Sequence, residues 1–237
     1  MSAPAQRIQT AAEFFESLSE RYGQIEDYTA DITIKSEEQI SLGILSYQRP
    51  NRIRIDFEEP PGQILVSDGE VLQVYIPHFN VVLQQRLRRR SDESLAALAS
   101  EQGLDLLERN YSIAYLDTPD LVPLDSPRDD ADSDDEESAE DQPEQDEPEQ
   151  DLPEGTLMVT KLKLDWKTNR EGYRQLILSV TEDLFIRRII GITLNYEEIQ
   201  FDFEDVQTNQ GIPETRFEYD APASANLFNN FLFEGEG

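Results

Sequence analysis

A period-two alternation of apolar and polar side chains runs through most of this chain and decides what it can fold into. Tyr28, Ala30, Ile32 and Ile34 alternate with Thr29, Asp31, Thr33 and Lys35, and Ile53, Ile55 and Phe57 alternate with Arg52, Arg54, Asp56 and Glu58. Successive side chains of a strand point to opposite faces, so each run is a strand with one buried and one wetted face. Half-covered strands of this kind belong to antiparallel sheets. No strand–helix–strand rhythm interrupts them, so the predicted fold is mainly β with some α: a curved antiparallel sheet covered by helices.

Further runs extend the sheet. Residues 40–47 alternate with a slip near Gly43, which predicts a bulge. Residues 64–66 and 71–76 flank Ser67-Asp68-Gly69, a hairpin with Asp-Gly in its turn. Pro77 ends that strand, and residues 81–87, 111–115, 162–166, 173–180, 184–192, 196–206 and 215–219 complete a meander of about a dozen strands. Two stretches keep helical spacing instead. Ile8, Ala11, Ala12, Phe15, Leu18, Ser19 and Tyr22 form one apolar face, with Gly23 as a stop. Residues 91–109 carry Leu95, Leu98, Leu104 and Leu107, with Gly103 as a break.

One segment cannot fold alone. Of the 50 acidic residues in the chain, sixteen fall in residues 125–154, beside a single basic residue, Arg128. Residues 118–155 hold too little large apolar material to offset chain entropy. Strands resume at once afterwards, so the expectation is one domain over residues 1–237 with a disordered acidic insert at about 118–155.

Composition excludes several functions. A net charge of −30 does not suit a nucleic-acid binder, which needs a basic stripe. With no cysteine, there is no disulfide, thiolate metal site or cysteine nucleophile. The only histidine, His78, follows Pro77 in a turn and has no metal-ligand spacing around it. Asp130, Asp132 and Asp134 are spaced like the start of a calcium loop, but Asp135 stands where the sharp turn needs glycine and Asp141 where glutamate should close the site. Phosphate loops and nucleophile elbows are absent, and the many carboxylates lie on polar strand faces or in the insert. The expectation is a protein that is not an enzyme, with no cofactor and no metal. Met1-Ser2-Ala3-Pro4-Ala5 has neither a basic nor an apolar leader segment, which fits a cytoplasmic protein or a processed form carrying an added Met.

One succession of motifs says more. A strand ending at Ser46-Tyr47-Gln48 leads into Arg49-Pro50-Asn51, then Arg52-Ile53-Arg54-Ile55-Asp56, then a loop with Pro60, then Ile64-Leu65-Val66, then Ser67-Asp68-Gly69, and later Tyr75-Ile76-Pro77. In this order the motifs resemble the outer-membrane lipoprotein carrier family (LolA-like), over nearly the whole chain except the acidic insert and the tail. The resemblance implies an incomplete barrel whose open side is closed by helices, with lipoprotein acyl chains held between sheet and helices. It implies that Arg49 helps hold the helical lid shut, that an inner-membrane complex and an outer-membrane acceptor load and unload the carrier, and that the protein is a periplasmic monomer. The insert departs from the family pattern.

The alternation itself leaves two readings open, since an apolar sheet face under helices is either an ordinary core or a lipid pocket. The carrier reading places Ile32, Ile34, Ile53, Ile55, Phe57, Leu65 and Trp166 on the lipid-binding face, with Arg49 closing the lid. Its alternatives are a lipoprotein receptor or envelope-stress sensor on the same half-barrel, and a small-molecule enzyme.

Overall fold

A computed structural model describes residues 9–87, 99–126, 153, 155–167 and 172–229. Helix α1 spans Ala11–Gly23. Thr10 caps it: its hydroxyl accepts from the Glu13 amide, and the Glu13 carboxylate accepts from the Thr10 amide, satisfying two donors that a helix start leaves free. Phe15, Leu18 and Tyr22 are its buried face.

The strands follow as β1 (Asp27–Lys35), β2 (Ile40–Gln48), β3 (Arg52–Glu59), β4 (Ile64–Ser67), β5 (Val71–Ile76), β6 (Val81–Arg86), β7 (Tyr111–Tyr115), β8 (Val122–Pro123), β9 (Met158–Trp166), β10 (Tyr173–Val180), β11 (Ile186–Thr193), β12 (Glu198–Thr208) and β13 (Asn226–Asn229). Helix α2 (Glu101–Asn110) lies between β6 and β7. One sheet holds the strands in the order β13-β6-β5-β4-β3-β2-β1-β12-β11-β10-β9-β7, with β8 pairing beside β9. It is large and open, not a closed barrel, as the family resemblance implies.

The sheet departs from the sequence reading in several places. β13 pairs with β6 in parallel, while the other pairings of described strands are antiparallel. Residues 215–219 are not a strand. Glu214–Phe217 form a short 3-10 turn, in which the Thr215 carbonyl accepts from the Glu218 amide, and Arg54 donates to the Arg216 and Glu218 carbonyls. Gly103 does not break α2. It lies in the first turn, where its amide donates to the Ser100 cap hydroxyl. The expected helical residues 91–98 lie outside the described residues. The bulge near Gly43 is present, as the register between β2 and β3 shifts between Leu42 and Gly43.

Cross-strand register divides the sheet into two faces. On the concave face, Tyr28, Ala30 and Ile32 of β1 oppose Tyr47, Leu45 and Gly43 of β2, which in turn oppose Ile53, Ile55 and Phe57 of β3. Leu162 and Leu164 of β9 and Leu176 and Leu178 of β10 continue that face, and the whole set packs with Phe15, Leu18, Leu104 and Leu107 of the helices into one core. The convex face carries ion pairs. Asp202 accepts from Arg188, which also donates to Asp125, and Lys35 pairs with Asp202. Although burial alone would raise the Asp202 pKa, the hydrogen bonds from Arg188 and Gln200 outweigh it and hold the carboxyl below its ordinary value.

Residues 118–126 of the expected insert lie within the described residues, where Leu124 is buried and Val122 pairs with Val159. Most of the acidic run lies outside the described residues. Replacing residues 127–152 by a short Gly/Ser linker is expected to move the thermal midpoint by no more than about 4 °C, since closure cost rises slowly with loop length. Comparison of the two melting curves checks this, and a much larger drop would mean that the run packs on the body.

Candidate functional site

The expected site residues share one surface. Ile32, Ile53, Ile55 and Phe57 are buried in the concave core, and Ile34, Leu65 and Trp166 pack against it half-buried. Ile55 is 1% exposed and Ile32 2%. These positions lie beneath or beside the helices, and the innermost of them form closed packing with α1 and α2.

The same face continues past the helices. Leu65 opposes Val74, Val74 opposes Leu83, Ile76 opposes Val81, and Leu72 opposes Gln85. Leu72, Val74, Ile76 and Leu83 are all half-buried, and none belongs to the closed core cluster. Phe228 of β13, register partner of Leu83, is exposed. The concave face thus has a sealed half, under the helices, and a more open apolar half over β4 to β6. The sequence reading missed this second half because Val71-Leu72-Gln73-Val74-Tyr75-Ile76 carries apolar residues on both faces. Tyr75 is drawn to the convex side, where its ring packs against Tyr219. A run of mixed polarity hides which side a residue faces.

Hydroxyls and one guanidinium hold the helices in place. Tyr28 on β1 donates to the Ala99 carbonyl just before α2, at 2.8 Å. Burial raises its phenol pKa well above the usual value, with neighbouring Tyr22 and Tyr47 adding to the effect, so it stays protonated and a donor. The Ile186 amide donates to the Tyr22 hydroxyl, and Tyr115 donates to the Gln9 carbonyl. Burial also pushes the Tyr111 phenol up to about 12.

Arg49, in the β2–β3 turn, spans both helices. Its guanidinium donates to the Gly23 carbonyl at the end of α1 (3.0 Å) and to the Glu101 carboxylate at the start of α2 (2.7 Å). A forked planar donor reaches both at once, which the point charge of a lysine does poorly. Glu101 carries no sequence signal as a partner, since the contact spans 52 positions. The turn that presents Arg49 is itself braced: Asn51 donates to the Gly69 carbonyl at 3.2 Å. A Cβ at position 69 would lie 2.2 Å from the Asn51 side-chain oxygen, and Gly69 has φ +94, so both the close approach and the backbone require glycine. The Arg-Pro-Asn and Ser-Asp-Gly turns, separate in sequence, are one structural unit.

Described residues also line two grooves elsewhere. One of about 380 Å³ lies along the polar side of α1 at Gln9, Glu13 and Glu20. Another of about 530 Å³ runs beside β1, β2 and β12. Among the described residues no cluster of histidine, aspartate or glutamate could hold a metal ion, and no helix is long and apolar enough to cross a membrane. His78 sits against Phe79 in the exposed turn after β5.

Comparison with known proteins bears on this arrangement. The family model for "Outer membrane lipoprotein carrier protein LolA" matches residues 16–125, which include the Arg49 turn, the Gly69 turn and α2. A curated outer-membrane lipoprotein carrier protein of Methylobacillus flagellatus is 26% identical over 47% of this chain and 53% of its own. One from Coxiella burnetii is 29% identical over 38% of this chain and 43% of its own. The chain therefore spans about half the length of the curated relatives it matches. Among solved structures, an uncharacterized conserved protein from Thermus thermophilus shares the fold at a TM-score of 0.53 and 12% identity, covering 92% of this chain and 99% of that one.

Proposed function

We propose that this chain, LolA-like by its family-model match and its curated relatives, is a carrier that shields lipoprotein acyl chains on the concave face of its half-barrel during transit across an aqueous compartment, the periplasm. The observation that carries this reading is the open half of that face. Leu72, Val74, Ile76 and Leu83 form a smooth aliphatic wall continuous with Leu65, beside the sealed core rather than within it. Each buried CH₂ of an acyl chain gains about 0.8 kcal/mol, so a long chain binds such a wall without any polar anchor. Release needs no chemistry, only re-exposure of the wall. An inner-membrane complex that loads the protein and an outer-membrane acceptor that empties it complete the proposal.

In this reading the seven residues expected from sequence divide their labour. Leu65 borders the open wall, whereas Ile32, Ile53, Ile55 and Phe57 support it from the core and Ile34 packs against that core on β1. Trp166 lies on β9, beneath the helix side. Arg49 acts as the latch that keeps α1 and α2 together over the core edge.

Titration of the folded protein with a fluorescent fatty-acyl probe tests the reading. Saturable, near-stoichiometric uptake, competed by a lipopeptide, is the expected result. No uptake by folded protein would sink it, because a filled half-barrel carries nothing.

Arg49→Leu tests the latch. Both bonds lie at a partly exposed site, so stability should fall by no more than about 1 kcal/mol. Loss of two helix contacts should shift the opening equilibrium by up to about fivefold and alter the rate of probe transfer to acceptor vesicles by a similar factor. Arg49→Lys should fall between, keeping the charge opposite Glu101 but not the fork. Transfer at the unaltered rate in both variants would reduce Arg49 to a turn residue.

A further inference from the structure

We propose that the convex face of β2 docks a basic, amphipathic segment of a partner protein. The proposal goes beyond the carrier reading, concerns the opposite face of the sheet, and stands or falls separately from it.

β2 is inverted relative to its neighbours. Its first half places Ser41, Gly43 and Leu45 toward the concave side, where they are buried, and turns Ile40, Leu42 and Ile44 outward, where they are 59%, 37% and 42% exposed. A row of three uncovered aliphatics on successive outward positions makes a contiguous stripe. Over β4 and β6 the convex face covers apolar residues. Val66 and Val82 are buried, and the C-terminal segment, fixed to this face by bonds from Arg54 and from Arg216 to Asp56, buries Phe217 and lays Tyr219 on Tyr75. The β2 stripe has no such cover among the described residues. Contiguous exposed apolar surface of this kind marks interaction sites.

The surroundings select the occupant. Asp31 lies opposite Ile44 on β1 and Glu59 opposite Leu42 on β3, both exposed. Glu204, opposite Asp31 on β12, is already paired with Arg187, so the open carboxylate beyond it is that of exposed Asp205 in the bulge. From Ile44 the 530 Å³ groove opens past Asp31, Asp205, Val206 and Gln207. Lys35, at the far end of the stripe, is paired with Asp202. An apolar floor with a carboxylate rim fits side chains that combine an aliphatic stem with a cationic head, which lysine and arginine supply. The same rim repels an anionic bilayer surface. In a second copy of this chain it would set acid against acid across a two-fold contact.

A short fluorescent amphipathic helical peptide of leucine and lysine, titrated into the full chain and followed by anisotropy, tests this. Two variants accompany it: Ile40→Ser with Leu42→Ser and Ile44→Ser, and Asp31→Asn with Asp205→Asn. All five positions named are exposed, and an unchanged circular dichroism spectrum establishes that both variants fold. The expected result is binding at low salt that weakens about tenfold or more in either variant, with the salt dependence flattened in the second. Because both variants keep the acidic run, equal binding by the serine variant would overturn the proposal, showing that the peptide is held by charge alone. Self-association of the unaltered chain that the serine variant abolishes would overturn it in favour of a second copy. Sedimentation with anionic vesicles lost in that variant would overturn it in favour of a membrane.

Discussion

Ile55→Asp is expected to cost the fold about 4 kcal/mol or more, whereas Val74→Glu, two strands away on the same face, should leave the fold standing and abolish acyl uptake. Ile55 is enclosed, with Leu45 and Leu65 as its cross-strand neighbours and the helices above, so a carboxylate there has neither water nor a partner. Val74 lies on the half-open wall, where a glutamate can bend its charged end to solvent while still spoiling the apolar path. Denaturant unfolding and probe titration on both variants separate the cases. If Val74→Glu unfolds as Ile55→Asp does, the wall is part of a sealed core. If it folds and takes up probe like the unaltered chain, acyl chains bind elsewhere.

Asp27→Ala should destabilise the protein by about 2–3 kcal/mol, the scale of lost hydrogen bonds to a charged acceptor. The Asp27 carboxylate is buried and accepts three backbone N–H groups, from Gln210 (2.7 Å), Gly211 (3.0 Å) and Ile212 (3.2 Å). The Asn209 amide donates to the Asp27 carbonyl, and the Asn209 side chain accepts from the Glu26 amide. This cluster ties the end of β12 to the start of β1 and launches the C-terminal segment across the convex face. In the alanine variant, hydrogen exchange at 210–212 should accelerate along with the fall in stability, and Asp27→Asn, which keeps one acceptor oxygen, should lie between. Unchanged exchange there would show that the carboxylate is not what holds the segment.

The balance between what was legible and what was not follows the range of each interaction. Period-two spacing marked Ile32, Ile53, Ile55 and Phe57 as sharing one face because side-chain direction in a strand is a local property. The Asp-Gly hairpin was legible for the same reason, since Gly69 adopts the left-handed backbone that such turns demand. Where a residue pair is far apart in sequence, nothing local announced it. Residues 215–219 have a strand-like composition, yet Arg54 claims their carbonyls from 162 and 164 positions away. The parallel pairing of β13 on β6 likewise depends on a segment returning across the sheet, not on its own spacing.

The sequence by itself therefore determined the class of fold, the apolar face of most strands, and the order of turns that resembles a lipoprotein carrier, because alternation, turn chemistry and chain order are written residue by residue. Only the tertiary structure decided which part of the apolar face is sealed and which is left as a wall. That choice depends on where α1 and α2 come to rest. Their places are set by contacts across the fold, Tyr28 to Ala99, Tyr22 to Ile186 and Arg49 to both Gly23 and Glu101. Burial is a property of what lies above a residue, and no spacing along the chain records it.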